Sequence, residues 1–354
     1  NLKNGTRYMT IPLVRAGALA PILRWMREHG RKPEELLRKV DLGWYLENHL
    51  LDPIPLRQAC TALSLAAKQE GPDLPWRVVG GTGFFELGLL AAIGLQASTP
   101  RQIMALVQAG MSAHCTHETF NVSTAGNGDL VIEDGWMMQF DDPEILHFIQ
   151  QYCTAMVHMV CNLTTCSAPV FRHVNMVPHP QNGFTHLRGA LGNHISDSAT
   201  SVLKIVIPRE VADSQIRLDG NKARTLPAFV DFVPLRDGSS VAYSVSLLIR
   251  GMLRDGAVDI DRICTAVGMT RRSLQRSLSS EGMTFSKVLD ETRHQMARDM
   301  MHDKRQSIAT VAAALAYKNQ SAFSRAFHRW EGTTALKVRN GLEPEQGCWQ
   351  TNSN

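Results

Sequence analysis

Within its last hundred residues the chain repeats one short pattern: a compact apolar helix, a tight turn, and a second helix with one apolar and one polar face. The first copy runs from Asp261 to Leu278 and the second from Ser307 to Trp330. In the first, Gly268 supplies the turn, because glycine reaches positive φ at little steric cost, and Thr270 stands where a helix N-cap belongs. Leu274 and Leu278, four residues apart, share one face and are predicted to point inward, while Arg272, Gln275 and Arg276 fall on another, beside Arg271. In the second copy Ala312 is small where helices cross closely, and Phe323, Phe327 and Trp330 recur at helical spacing as core anchors. Asn319, Gln320, Ser321, Ser324 and Arg325 lie off that apolar stripe. A helix predicted from about Phe285 to Met301 joins the copies and, being stiff, holds them at a fixed separation.

Charge follows the same division. Residues 236–341 carry 17 Lys and Arg against 10 Asp and Glu, a net of +7, whereas the rest carries 20 against 23. Basic charge is therefore concentrated where a polyanion would be met. Arg on a helix in the major groove reads guanine O6 and N7, and Gln reads adenine N6 and N7. The pattern thus predicts two helix-turn-helix elements about one DNA turn apart, near 34 Å.

The phrases Gly268-Met269-Thr270-Arg271-Arg272-Ser273-Leu274-Gln275-Arg276, Glu281-Gly282-Met283-Thr284-Phe285, Arg293 with Ala297, and Ser321-Ala322-Phe323-Ser324-Arg325-Ala326-Phe327-His328-Arg329-Trp330-Glu331-Gly332 resemble the AraC/XylS family of bacterial transcription regulators. The resemblance implies promoter double-stranded DNA and RNA polymerase as partners, a homodimer, and an activator controlled by a small-molecule effector. It implies DNA contacts at Arg271, Arg272, Gln275 and Arg276 and at Asn319, Gln320, Ser321, Ser324 and Arg325. The chain departs from the family pattern at Cys264, at Ala316, where glycine is usual before Tyr317, and at Ala335, where proline is customary. Cys264 and Ala335 are small enough to pack; Ala316 replaces the residue that turns most easily.

The preceding region is predicted to be mixed. Helical periodicity marks Leu13–Glu28, Pro33–Val40, Pro55–Gln69, Thr99–Ser112 and Pro143–Asn162, with Thr99 as an N-cap and Pro100 in the first turn. Strands are predicted at Phe120–Ser123 and Leu130–Glu133 around the turn-forming residues 124–129, and at Val170–Val177 and Ser201–Ile207 around a short helix at Thr185–Leu191. The fold class is an α+β amino-terminal sensor domain followed by an all-α carboxyl-terminal domain with two helix-turn-helix motifs. The expected divisions are 9–225 for sensing and dimerisation, 226–240 as a polar linker, 241–341 for DNA binding and 342–354 as a tail. The segment from Val14-Arg15-Ala16-Gly17-Ala18-Leu19 to Ile54-Pro55-Leu56 resembles the sensor of the arabinose-binding-type branch, whose members respond to varied effectors such as amino acids.

One further effector reading stays open beside a sugar or amino acid. Asn121-Val122-Ser123-Thr124-Ala125-Gly126 fits the [DN]xSxxG pattern of PilZ-type cyclic di-GMP sites, which pair it with RxxxR, and Arg250 and Arg254 have that spacing. The same spacing recurs at Arg27, Arg272 and Arg325, and residues 121–126 read more simply as a strand entering a hairpin turn. Gly80-Gly81-Thr82-Gly83 lacks the lysine of a phosphate loop and reads as a turn.

The seven cysteines include no CxxC pair and read as reduced thiols. Neither His114, Cys115 and His117 nor His158 with Cys161 has metal-site spacing, so no metal and no cofactor are expected. The most apolar run, Leu87–Ala97, is too short to span a bilayer, and no signal-peptide pattern opens the chain, so a cytoplasmic, membrane-free protein is expected. No nucleophile-base pairing supports an enzyme fused to a targeting module. A constitutive regulator whose first domain only dimerises is the other reading.

Overall fold

A computed structural model describes residues 10–45, 49–80, 82–94, 96–140, 142–217, 235, 240–303 and 305–340. The chain forms two compact units, Thr10–Ser239 and a second from Ser240 onward. Apart from Leu235 and Ser240, the expected linker lies outside the described residues, as does the tail.

The first unit contains strands β1 (Leu13–Arg15), β2 (Pro53–Pro55), β3 (Glu118–Thr124), β4 (Leu130–Trp136), β5 (His173–Met176), β6 (Ile195–Asp197) and β7 (Leu203–Ile207). Its helices are α1 (Ala20–Glu28), α2 (Pro33–Lys39), α3 (Leu56–Glu70), α4 (Leu74–Val79), α5 (Gly83–Glu86), α6 (Leu89–Gly94), α7 (Pro100–His114), α8 (Pro143–Cys161), α9 (Arg188–Leu191) and α10 (Arg209–Ala212). Five strands form one sheet in the order β3-β4-β7-β5-β6, antiparallel except for the β5-β6 pair. Alternation drives one face inward: Leu130, Ile132, Leu203, Ile205 and Ile207 are all buried. The β3-β4 hairpin closes through Ala125 N–H to the Asp129 carbonyl at 2.9 Å, with Gly128 at φ +89°. Helix α8, with Phe148, Ile149, Val157 and Val160 buried, packs on α3 and α4 and touches β5.

One expectation needs correction here. Leu13–Glu28 is not one helix: Leu13–Arg15 pairs antiparallel with Pro53–Pro55, a 3-10 turn follows, and α1 begins at Ala20 with Pro21 in its first turn. The Arg15 side chain is buried and donates to the carbonyls of Ala113 and Leu51, which ties this strand down. Residues 74–94 form three short helices, and Val78 and Val79 are helical, with Gly80 at φ +50° after them; Gly81 lies outside the described residues. Strand β6 was not foreseen.

The second unit is helical throughout its described residues: α11 (Val241–Met252), α12 (Ile260–Val267), α13 (Arg271–Ser280), α14 (Phe285–Met301), α15 (Ile308–Ala314), α16 (Gln320–Glu331) and α17 (Ala335–Arg339). The side chains of Asp259, Thr270, Thr284, Ser307, Asn319 and Thr334 each accept a backbone N–H at the start of the following helix. Two packed layers result. Leu274 and Leu278 are fully buried in the first, and Ala297, Met301, Val311, Ala312, Leu315, Phe323 and Phe327 form the core of the second.

Gly268 ends α12 in the left-handed region at φ +66°, and Ala316 occupies the matching turn of the second element at φ +53°. A Cβ there crowds the following carbonyl, at about 1–2 kcal/mol for a left-handed L residue. Ala316→Gly relieves that and loses a smaller amount to glycine's freedom in the unfolded chain. The expected net gain is about 1 kcal/mol, seen as a raised denaturation midpoint; a lowered midpoint would show the turn to be unstrained.

Candidate nucleic-acid interface

The polar faces of α13 and α16 are built by the buried ones. Leu274 and Leu278 anchor α13, leaving Arg271, Arg272, Gln275 and Arg276 exposed. Phe323, Ala326 and Phe327 anchor α16, leaving Gln320, Ser321, Ser324 and Arg325 exposed. Arg272, Gln275, Arg276, Gln320, Ser321, Ser324 and Arg325 make no side-chain hydrogen bond or ion pair among the described residues. The other two expected residues have structural work. Arg271 pairs with Asp261 at 3.4 Å, and the Asn319 side chain accepts the Ala322 N–H at 2.8 Å.

Helix α14 connects the two elements. At 17 residues it is about 25 Å long, taking 1.5 Å of rise per residue. Asp290 on α14 accepts from Arg329 at 2.7 Å and from the Trp330 indole at 2.9 Å, so α16 is tied to the rod by its inner side. Arg293 lies over the Tyr317 ring at 4.8 Å, a cation-π contact at the second turn.

The phrase Glu281-Gly282-Met283-Thr284 also has a mechanical explanation. Glu281 accepts from the Ser240 hydroxyl at 2.8 Å and from the backbone N–H groups of Val241 at 2.6 Å and Ala242 at 2.9 Å, capping α11 from a distant point of the chain. Gly282 follows at φ +69°, and Thr284 caps α14. A carboxylate at a helix N-terminus satisfies orphan donors and the helix dipole together. Glu281→Ala is expected to destabilise the second unit by about 2 kcal/mol, read as a lower denaturation midpoint; an unchanged midpoint would show that water replaces the carboxylate.

The four residues expected to touch an effector are not brought together within one unit. Asn121 and Ser123 are exposed on β3 of the first unit, across from Glu133 and Val131. Arg250 and Arg254 belong to the second, where Arg250 pairs with Asp299 on α14 at 3.4 Å. Arg254 follows in a 3-10 turn.

Sequence reasoning passed over a different site. Between α1, α3, α7, α8 and the β3-β4 hairpin the first unit has a partly open cavity of about 120 Å³, walled by side chains such as Ile22, Leu63, Met104, Met111, Ile149 and Met156. Glu118 and Cys153 line its polar end, and their ligand atoms lie within 4.8 Å of that of Asp134, which does not itself line the space. Asp134 is fully buried and both its carboxyl oxygens lack hydrogen-bond partners. Burial raises the carboxyl pKa of both acids, and in Asp134 the nearby Glu118 charge adds to the rise. His114, lining the same space, is held neutral by burial, its pKa lowered to about 3, and its Nδ1 has no partner. One signal was available: Asp134 is in phase with Leu130 and Ile132, so alternation turns a carboxyl inward.

No helix among the described residues is long and apolar enough to cross a membrane. A helix-turn-helix domain family model matches residues 263–341. The chain is 24% identical over 330 residues to the HTH-type transcriptional regulator VirS of Mycobacterium tuberculosis, across 92% of this chain and 96% of that one. It is 32% identical over 74 residues to the ornithine utilization regulator of Pseudomonas aeruginosa, spanning 21% of this chain and 22% of that protein. The crystal structure of transcriptional regulator CdpR from Pseudomonas aeruginosa aligns over 92% of this chain and 98% of that one, with 15% identity and a TM-score of 0.41. With two capped helix-turn-helix elements on one rod, the matched domain and full-length likeness to a regulator, the chain is a DNA-binding transcription regulator with a helix-turn-helix domain of AraC type.

Proposed function

We propose that the chain regulates promoters by setting α13 and α16 in successive major grooves of one DNA face, and that a small molecule held in the first unit controls this. The observation that carries the DNA reading is the set of seven exposed, unpartnered side chains on two helices fixed to α14. Arg272, Gln275 and Arg276 read the first groove, and Gln320, Ser321, Ser324 and Arg325 the second. Arg271 and Asn319 reach the backbone phosphates from the helix starts, where N–H groups and the dipole favour anions. The chain acts as a homodimeric activator that contacts RNA polymerase. The cavity supports effector control, since an apolar space with convergent unpartnered polar groups is the usual form of a small-molecule site.

Selection of bound duplexes from a random pool by the full chain tests the DNA reading. Two short half-sites about one turn apart, roughly 10 to 10.5 base pairs centre to centre, are expected for each bound chain. A single short site, or no enrichment, contradicts it.

A further inference from the structure

We propose that the cavity of the first unit takes an apolar amine: a benzene-sized hydrophobic body whose protonated nitrogen sits between Glu118 and Asp134. This deepens the effector reading and rests on it for its regulatory meaning. The wall sets the body. It is almost entirely hydrocarbon, and about 120 Å³ is of the order that accommodates benzene in a comparable engineered cavity. A sugar entering it would leave most of its hydroxyls without partners.

The polar end sets the head. Glu118 and Asp134 stand on one face of the β3-β4 pair, at diagonal positions, and neither makes an ion pair among the described residues. No Lys or Arg lines the cavity, and its one imidazole, His114, is neutral. Asp134, with both carboxyl oxygens unpartnered and Glu118 beside it in apolar surroundings, is an incomplete arrangement. An ammonium completes it, donating hydrogen bonds to both carboxyls and supplying the missing positive charge. A carboxylate would add a third acid, and an alcohol offers one proton and no charge. The Trp136 indole N–H, also without a partner, and His114 lie along the same wall and are available to a substituent on the body.

The test uses the full chain and three probes of one shape: 2-phenylethylamine, 2-phenylethanol and phenylacetate, with zinc chloride alone as a fourth arm. Binding is followed by calorimetry and thermal shift. The amine is expected to bind about tenfold or more tighter than the alcohol, and the acid not at all. Glu118→Gln with Asp134→Asn should bring the amine down to the alcohol's affinity. Equal binding of amine and alcohol, preferential binding of the acid, no binding of any probe, or stabilisation by zinc alone through Glu118, Asp134 and Cys153 each overturns the proposal. Because the comparison among probes uses the unaltered chain, it stands even where the double variant fails to fold. DNA affinity measured with and without the amine separates the two readings. An amine that binds but leaves DNA affinity and transcription unchanged leaves the ligand class standing and removes effector control.

Discussion

Phe327→Ala is expected to destabilise the carboxyl-terminal unit by about 3–5 kcal/mol, the range for deleting a buried aromatic ring. Phe327 is fully buried, packed with Phe323 and Trp330 and enclosed by Ala297, Met301, Val311, Ala312 and Leu315. The ring's place is hard to refill, because its neighbours sit on three different helices whose ends are separately capped. Domains are stable by roughly 5–15 kcal/mol in total, so such a loss removes much of the margin. Chemical denaturation of the full chain should show a lowered midpoint for the transition in which Trp330 changes its fluorescence. An unchanged midpoint would mean that Phe327 is not part of the core that holds α16.

Replacing Arg272 and Arg276 together by alanine should weaken binding to the preferred duplex by about 2–6 kcal/mol, summing 1–3 kcal/mol for each bidentate base contact. Both side chains are exposed and have no protein partner, so stability should change little, within about 0.5 kcal/mol. Affinity for unrelated duplex DNA tells base contacts from phosphate contacts. If the arginines read bases, nonspecific affinity changes far less than specific affinity. If they touch phosphates, both fall together and the salt slope drops by about two. Unchanged specific affinity removes α13 from the readout.

The second unit was legible because its instructions are local. Leu274 and Leu278 show their helical spacing directly, Thr270 announces a helix start, and Gly268 announces a turn. The connecting helix begins and ends at the residues that periodicity marked, Phe285 and Met301. Even Ala316 was visible as an unusual choice, although only the backbone shows that the alanine takes the left-handed conformation. Residues carrying two meanings were harder. Arg271 and Asn319 share the polar face with their neighbours, and coordinates were needed to show an ion pair with Asp261 and a helix cap.

In the first unit the legible parts were likewise local, the Thr99-Pro100 helix start and the β3-β4 hairpin among them. Leu13–Arg15 was misread because Val14 and Leu19 satisfy a helical period, while the partner strand that captures them lies some 40 residues away at Pro53–Pro55. Strand β6 is too short to have a period at all. The cavity was hidden for the same reason on a larger scale: its walls are drawn from residues between Val14 and Val157 on elements that meet only after folding. The [DN]xSxxG residues lie where their simpler reading put them, on a strand entering a hairpin turn. Asn121 and Ser123 are the outward residues of a hairpin strand, and the pattern is what alternation and a turn produce there.

The most direct measurement concerns phase. Once a preferred duplex is known, its affinity for the full chain is compared with that of the same duplex carrying about five extra base pairs between the half-sites, half a helical turn. Two recognition helices held on the α14 rod cannot follow that rotation, so the insertion should reduce affinity to that of a single half-site. Equal affinity for the two duplexes would contradict simultaneous reading by α13 and α16.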